Sequence, residues 1–354
     1  MLPTPICMEG DYFEDNETSC EYAEWGPSYS LVPVLYMVIF ILGLSGNGLV
    51  IITVWKSESK RRAADVYIGH LALADLTFVV TLPLWAVYTA FGYHWPFGVA
   101  LCKISSYVVM LNMYASVFCL TCMSFDRYLA IVRPLPAGRP RSKGTMLGSL
   151  GAIWLLSVTL ASPTLLFRTT LSDSHDRIIC AMDFSPMMTD AGQEGMWIAG
   201  LSLSSTLLGF LLPFLAMTIC YCFIGRAISL HFGAVHKEDQ RRRRLLKIIS
   251  ALVAVFAVCW APFHMLKTAD ALSYLQLAPS SCSFLSWLLT VLPYATCLAY
   301  VNSCLNPFLY AFFDLRFRTQ CLQLLRLSKD AEAPVSSQSS QGHKCEGHTV
   351  ATKV

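Results

Sequence analysis

Seven apolar stretches run along this chain: Leu31–Val54, Val66–Phe91, Cys102–Val132, Leu147–Phe167, Met196–Gly225, Leu245–Leu272 and Phe284–Phe313. Each is long enough, at ~1.5 Å of rise per residue, to cross a hydrocarbon layer of about 30 Å as a helix. The expected fold is therefore an all-α membrane protein, a bundle of seven transmembrane helices. Of the 26 Lys and Arg residues, all but Lys103, Arg168, Arg177 and Lys267 fall on one alternating side of these stretches. Positive charge is retained on the cytosolic side of a membrane, so the N-terminus is expected outside and the tail in the cytosol. An odd number of spans places the two ends on opposite faces, in agreement.

Composition excludes the main competitor, a large soluble helical protein. Hydrophobic residues make up 55% and charged residues only 14%, against about 25% charged in an average soluble chain, and the helices read as apolar on every side. Residues 1–29 carry seven acidic side chains, Glu9, Asp11, Glu14, Asp15, Glu17, Glu21 and Glu24, and no Lys or Arg. They form an expected extracellular acidic segment. Basic runs at Lys60-Arg61-Arg62 and Arg241–Arg244 lie beside spans. Topology and anionic lipid explain them before nucleic acid does, so membrane lipid is an expected partner and nucleic acid is not. Met1–Asn16 lacks the charged-then-apolar order of a cleavable leader, and the first span is expected to act as its own insertion signal. Asn16-Glu17-Thr18 is a glycosylation acceptor if that end is exported. Beyond the bundle, taken as residues 30–313, an amphipathic eighth helix is expected at 314–327 and a disordered tail at 328–354.

Cysteines follow the same division. Of 14, Cys7, Cys20, Cys102, Cys180 and Cys282 lie on the expected outer side, where oxidation can occur. Pairing Cys102 with Cys180 and Cys20 with Cys282 would tether each loose segment to a helix end, leaving Cys7 over. The sequence alone permits other pairings. The remaining cysteines read as small buried hydrophobes or cytosolic thiols.

Polar interruptions of the apolar runs carry the chemistry. Asp75 falls in mid-membrane, where a charge costs about 2.5–3.5 kcal/mol on insertion scales. Asn47, Asn112, Ser116, Asn302, Ser303 and Asn306 are placed to reach it; Asn112 and Ser116 share a helix face, as do Asn302 and Asn306. Neutral oxygens around one carboxylate suit a hydrated monovalent cation such as sodium better than Mg²⁺ or Zn²⁺. The alternative is interhelical hydrogen bonding among buried amides. Prolines at 83, 163, 213, 262, 293 and 307 each remove an N–H and bend a span. Beside Pro262, Phe256 and Trp260 form an i,i+4 aromatic pair that reads as a rotating switch at a hinge, or simply as core packing at a kink.

In chain order, Gly46-Asn47, Leu71–Asp75, Asp126-Arg127-Tyr128, Trp154, Pro213, Cys259-Trp260-Ala261-Pro262 and Asn306–Tyr310 assemble into the motif set of a rhodopsin-like G-protein-coupled receptor, which the chain resembles over residues 30–327. The seventh span has no Lys for a retinal Schiff base. Val109 and Met110 stand where amine receptors carry an Asp, and Thr296 stands where chemokine receptors carry Glu. Thr81–Trp85 resembles the peptide branch that includes angiotensin, chemokine and apelin receptors. Three longer runs, Ala74–Ala86, Asn112–Thr121 and Tyr300–Asn306, resemble the apelin-receptor family.

That resemblance implies a secreted basic peptide ligand with a free C-terminus, heterotrimeric G proteins of the inhibitory Gi type and arrestin as partners, and residence in the plasma membrane. It implies ligand contacts at Trp85, Tyr88, Arg168, Asp183, Lys267 and Tyr300. Arg168 and Lys267 would hold the carboxylate, unless they snorkel to lipid headgroups. It also implies an activation switch of Asp126, Arg127, Tyr221, Phe256, Trp260, Pro262 and Tyr310, with Arg127 released from Asp126 on activation. No cofactor is expected beyond an allosteric sodium ion.

The chain departs from the apelin-receptor pattern at Gly92, Tyr93 and His94, where acids are expected, and at Ser283, where an Asp is. Met110 and Asp270 replace expected aromatics, and the tail lacks a pair of Cys after the eighth helix. These leave ligand identity open within the family, including an angiotensin- or chemokine-like peptide. A transporter would need a chain of ionisable groups across the membrane, and Asp75 stands nearly alone. An enzyme would need a catalytic constellation; no His-Glu-x-x-His, Gly-x-Ser-x-Gly or phosphate loop is present.

Overall fold

The computed structural model describes residues 26–56, 63–133, 143–173, 176–188, 190, 193–230, 237–279, 281–313 and 317–319. Its helices are α1 (Gly26–Lys56), α2 (Ala63–Val79), α3 (Leu82–Ala90), α4 (Gly98–Ile131), α5 (Lys143–Phe167), α6 (Glu194–Thr206), α7 (Leu212–Leu230), α8 (Lys237–Tyr274) and α9 (Cys282–Phe313). Among the described residues, seven helical segments are long and apolar enough to cross a membrane, the fifth running from Glu194 to Ala227 and the sixth from Ile249 to Tyr274. The second span is α2 with α3, interrupted at Val80 and Thr81 just before Pro83. The fifth is α6 and α7 joined through one turn of π-helix at Leu207–Leu211, immediately before Pro213. Residues 317–319 are helical; the rest of the expected eighth helix, Asn16, Cys7, Cys20 and the tail lie outside the described residues.

Side chains on these helices divide into an inner and an outer set. Leu155 and Met265, 68% and 71% exposed, point away from the bundle. A membrane helix keeps apolar residues on both faces because its outer face meets lipid tails. Polar residues are the ones drawn inward: Asn47, Asp75, Asn112, Ser116, Asn302, Ser303 and Asn306 are all buried. The third span is the central post, α4 packing against α2, α5, α7 and α8. Polar ties cross between spans: the Trp154 indole Nε1 donates to His70 Nδ1 at 3.2 Å, and Tyr67 and Ser149 hydroxyls meet at 2.6 Å.

Two prolines show how a bent helix is made tolerable. Pro307 cannot donate to the carbonyl of Ser303, four residues earlier. Asn47 Nδ2 from α1 fills that role at 2.8 Å, while also donating to its own Gly43 carbonyl at 3.0 Å. Gly46 makes the approach feasible, since a Cβ there would lie 2.9 Å from the Pro307 ring. Pro163 likewise frees the Thr159 carbonyl, which accepts from the Ser162 hydroxyl at 2.8 Å.

At one end of the bundle a β-hairpin, β1 (Arg168–Ser172) and β2 (Ile178–Met182), lies across the helices in antiparallel register, Thr170 opposite Cys180. The Cys102–Cys180 disulfide fastens it to the start of α4, as expected, with Cα atoms 5.8 Å apart. Trp95 N–H donates to the Ile178 carbonyl at 2.7 Å and Arg177 Nη1 to the Gly92 carbonyl at 3.1 Å. Cys282 is disulfide-bonded; its expected partner Cys20 lies outside the described residues.

Candidate functional site

Beneath the hairpin lies a cavity of about 350 Å³ between the third, fourth, fifth and sixth spans, its walls including Met110, Tyr114, Phe184, Glu194, Arg168, Lys267 and Asp270. A smaller cavity of about 40 Å³ opens beside it among Tyr36, Trp85, Tyr88, Tyr93, Arg168 and Tyr300. Arg168 lines both. The expected ligand contacts are thus divided between neighbouring chambers: Trp85, Tyr88 and Tyr300 on one side of Arg168, Lys267 on the other. Asp183 lines neither. Its carboxylate accepts the Ser185 N–H at 2.9 Å and the Ser185 hydroxyl, shaping the short turn after the hairpin.

Arg168 owes its place to the hairpin. As the first residue of β1 it follows directly on α5, and it is 4% exposed. Its Nε donates to the Cys180 sulfur at 3.4 Å; among the described residues no carboxylate pairs with it. Burial lowers its pKa to about 10, opposed by the Tyr88 and Tyr300 hydroxyls, so it is a cation at neutral pH. The ammonium of Lys267 stands 5.6 Å from the centre of the Phe263 ring, a cation–π contact. Both cations face a cavity inside the bundle, which removes the headgroup-snorkelling alternative for Arg168.

The mid-membrane cluster assembles around Asp75. Asn112 Nδ2 donates to Oδ1 at 2.9 Å and Ser116 Oγ to the same oxygen at 3.4 Å, while Asn306 Nδ2 donates to Oδ2 at 2.8 Å. Ser303 donates to Asn112 Oδ1 at 3.3 Å. Asn47, expected here, is instead engaged at Pro307, because the freed Ser303 carbonyl lies within its reach. The amide oxygens of Asn302 and Asn306 are buried without a hydrogen-bond partner. The Asn306 oxygen, an unpaired buried acceptor on a residue bonded to Asp75, fits a bound cation or water, whereas no hydrogen bond joins Asn302 to the carboxylate. The groups gathered here, one carboxylate with amide and hydroxyl oxygens, make a set of hard oxygen donors.

The residues expected to form the activation switch sit in two places. Phe256 and Trp260 are buried, their ring centres 6.3 Å apart. Two further rings, not expected from the sequence, join this pair. In the structure Phe210, from the π-turn, lies 6.0 Å from Phe256 and stacks on His264 at 5.0 Å, and His264 in turn lies 5.8 Å from Trp260. His264 Nδ1 meets the Thr206 hydroxyl at 3.1 Å. The i,i+4 spacing of His264 from Trp260 was the available signal for it; nothing local marks Phe210. At the other end of the bundle, Arg127 Nη2 donates to Asp126 as an ion pair. The hydroxyls of Tyr221 and Tyr310 are buried there without a hydrogen bond.

This arrangement agrees with the relatives of the chain. Residues 46–310 match the 7 transmembrane receptor (rhodopsin family) pattern. The chain is 70% identical to apelin receptor A of Danio rerio, over the full length of both, and 70% identical to apelin receptor B of the same fish over 97% of this chain and 96% of that one. It is 39% identical to the type-1 angiotensin II receptor of Sus scrofa over 84% of this chain and 81% of that receptor. The shared motifs, the seven spans and the cavity under a disulfide-held hairpin converge: the chain is a multi-pass membrane protein that belongs to the rhodopsin family of seven-transmembrane receptors, on the branch of the apelin receptors.

Proposed function

We propose that this receptor binds a secreted basic peptide of the apelin type, with its C-terminal carboxylate held between Arg168 and Lys267. The observation that carries the reading is the position of Arg168, a buried cation without a carboxylate partner, on the shared wall of the two cavities. A charge so placed is costly to bury and gains most from an anion that arrives with the ligand. Trp85, Tyr88 and Tyr300 then offer aromatic surface beside the carboxylate. The hairpin end, with the acidic residues before the first span, faces outward and attracts the cationic part of the peptide, raising the rate of encounter. The 39% identity to an angiotensin receptor supports an angiotensin-like peptide as the second reading.

Signalling runs through a heterotrimeric G protein of the Gi type, lowering cAMP, and through arrestin; both rest on the family resemblance. Asp126 restrains Arg127 at rest. Movement of α8 about Pro262, driven by Phe256 and Trp260, releases it, and the Tyr221 and Tyr310 hydroxyls hold the open form through a shared water. Asp75, Asn112, Ser116, Asn302, Ser303 and Asn306 hold sodium in the resting form.

The test is inhibition of cAMP in transfected cells by apelin-type, angiotensin and chemokine peptides, at matched surface expression. Arg168→Ala or Lys267→Ala should weaken the potency of the active peptide about 10- to 150-fold, the loss of one charged hydrogen bond of ~1.5–3 kcal/mol. Amidating the peptide C-terminus should cause a similar loss on the wild-type receptor and little more on either variant. Full additivity of the two changes would refute the carboxylate clamp.

A further inference from the structure

Two carboxylates in the larger cavity have no role in the reading above. Asp270 lies one turn beyond Lys267 on α8 and is 6% exposed, and Glu194, half-buried, opens α6; both line the cavity that Arg168 and Lys267 line. Among the described residues neither carboxylate has a hydrogen bond or an ion pair. Lys267 and Asp270 are spaced i,i+3, a spacing that allows pairing, yet no nitrogen–oxygen contact within 4.0 Å joins them; the described ion pairs are Asp126 with Arg127 and Asp173 with Arg177. The Lys267 ammonium faces Phe263 instead. The cavity therefore holds two cations and two carboxylates, balanced in sign; Lys267 and Asp270 feel one another's charge, but no direct ion pair within 4.0 Å joins any of the four to another. Unpaired charges in a partly dry site are expensive. A ligand carrying one anion and one cation relieves both halves at once, whereas a simple carboxylate leaves Asp270 facing an excess of negative charge.

We infer that Asp270, with Glu194 on the same cavity wall, is a specificity-determining residue that receives a Lys or Arg side chain of the peptide close to its C-terminal carboxylate. This rests on the proposed docking of that carboxylate on Arg168 and Lys267. The cavity reads a zwitterionic pair, not an anion alone. The competing role for Asp270 is to offset the charge of Lys267, its electrostatic neighbour one turn away on α8, with no contact to the ligand.

A double-mutant cycle between receptor and peptide separates the two. The probe is a synthetic apelin-type basic peptide with a free carboxylate, each Lys replaced in turn by norleucine and each Arg by citrulline, which keep shape and remove charge. Binding is measured on full-length wild-type, Asp270→Asn and Glu194→Gln receptors at equal surface expression. One neutral analogue is expected to lose about tenfold or more on the wild type, the worth of a charge-assisted bond, and to lose little on Asp270→Asn. Glu194→Gln should reduce the same analogue's penalty in part. Amidating the C-terminus should cost the same factor on wild type and Asp270→Asn. Losses that multiply for every analogue on Asp270→Asn overturn the proposal. Should Asp270→Asn fail to reach the surface, the wild-type and Asp270→Glu receptors still decide: the same single analogue must be weakened on both, and an analogue series with no member weakened overturns the assignment. If amidation costs nothing while the coupling to Asp270 persists, the carboxylate clamp falls and the cation subsite stands.

Discussion

Asn47 repairs a defect that Pro307 creates, and so joins the first span to the seventh at a single carbonyl. Asp75 works differently: it draws donors from the third and seventh spans, Asn112, Ser116 and Asn306, onto one carboxylate. The two sites are near neighbours in sequence pattern, which is why Asn47 reads from the sequence as a member of the Asp75 cluster. Only the geometry of the freed carbonyl assigns it elsewhere. For Asp75 the proposed sodium has a measurable consequence. An ion that fits the resting form alone lowers agonist affinity by linkage. Replacing potassium by sodium at constant ionic strength should weaken peptide binding to the wild type, and Asp75→Asn should lose that response and signal poorly. A sodium response that persists in Asp75→Asn would leave the cluster a purely structural network.

Elements, more than residues, decide where the proposed switch and the cavity fall. The third span carries Asn112 at its middle and Asp126-Arg127 at its far end, so one rigid helix bears both the polar cluster and the ion pair. If the Asp126–Arg127 pair acts as the proposed restraint, Asp126→Asn should raise basal activity. Arg127→Ala should abolish G-protein activation, read as cAMP inhibition at matched surface expression, with peptide binding nearly unchanged. Normal inhibition by Arg127→Ala would reduce the pair to a helix anchor. The spans themselves were legible because a membrane demands length and apolarity, and the fifth, read as Met196–Gly225, is described as Glu194–Ala227. The interruption at Val80-Thr81 and the π-turn were not legible. A helix apolar on every side has no stripe whose phase could betray an extra residue. Asp270 was visible as a departure from the family pattern, but its company with Glu194, Arg168 and Lys267 depends on three separate elements meeting under the hairpin.

Across the whole molecule the two ends are built to different rules. One carries a hairpin stapled by Cys102–Cys180 over a charged cavity; the other carries Arg127 with the unbonded Tyr221 and Tyr310 hydroxyls. The π-turn at Leu207–Leu211 separates them along the fifth span. One surplus residue in a helix of 3.6 residues per turn shifts everything before it by about 100° relative to everything after. Thr206 and Ser205 are turned inward on the cavity side of this offset, and α7 keeps its own facing independently. On the proposed reading the fifth span is a phase joint, which lets the cavity end be set in angle without disturbing the end that carries Arg127. Deleting Leu207 should close the joint: the chain should still reach the surface and keep Arg127-dependent basal coupling, while peptide binding, measured directly, is lost with the rotated cavity wall. Binding that survives the deletion would mean that the two halves of the span are not dialled separately.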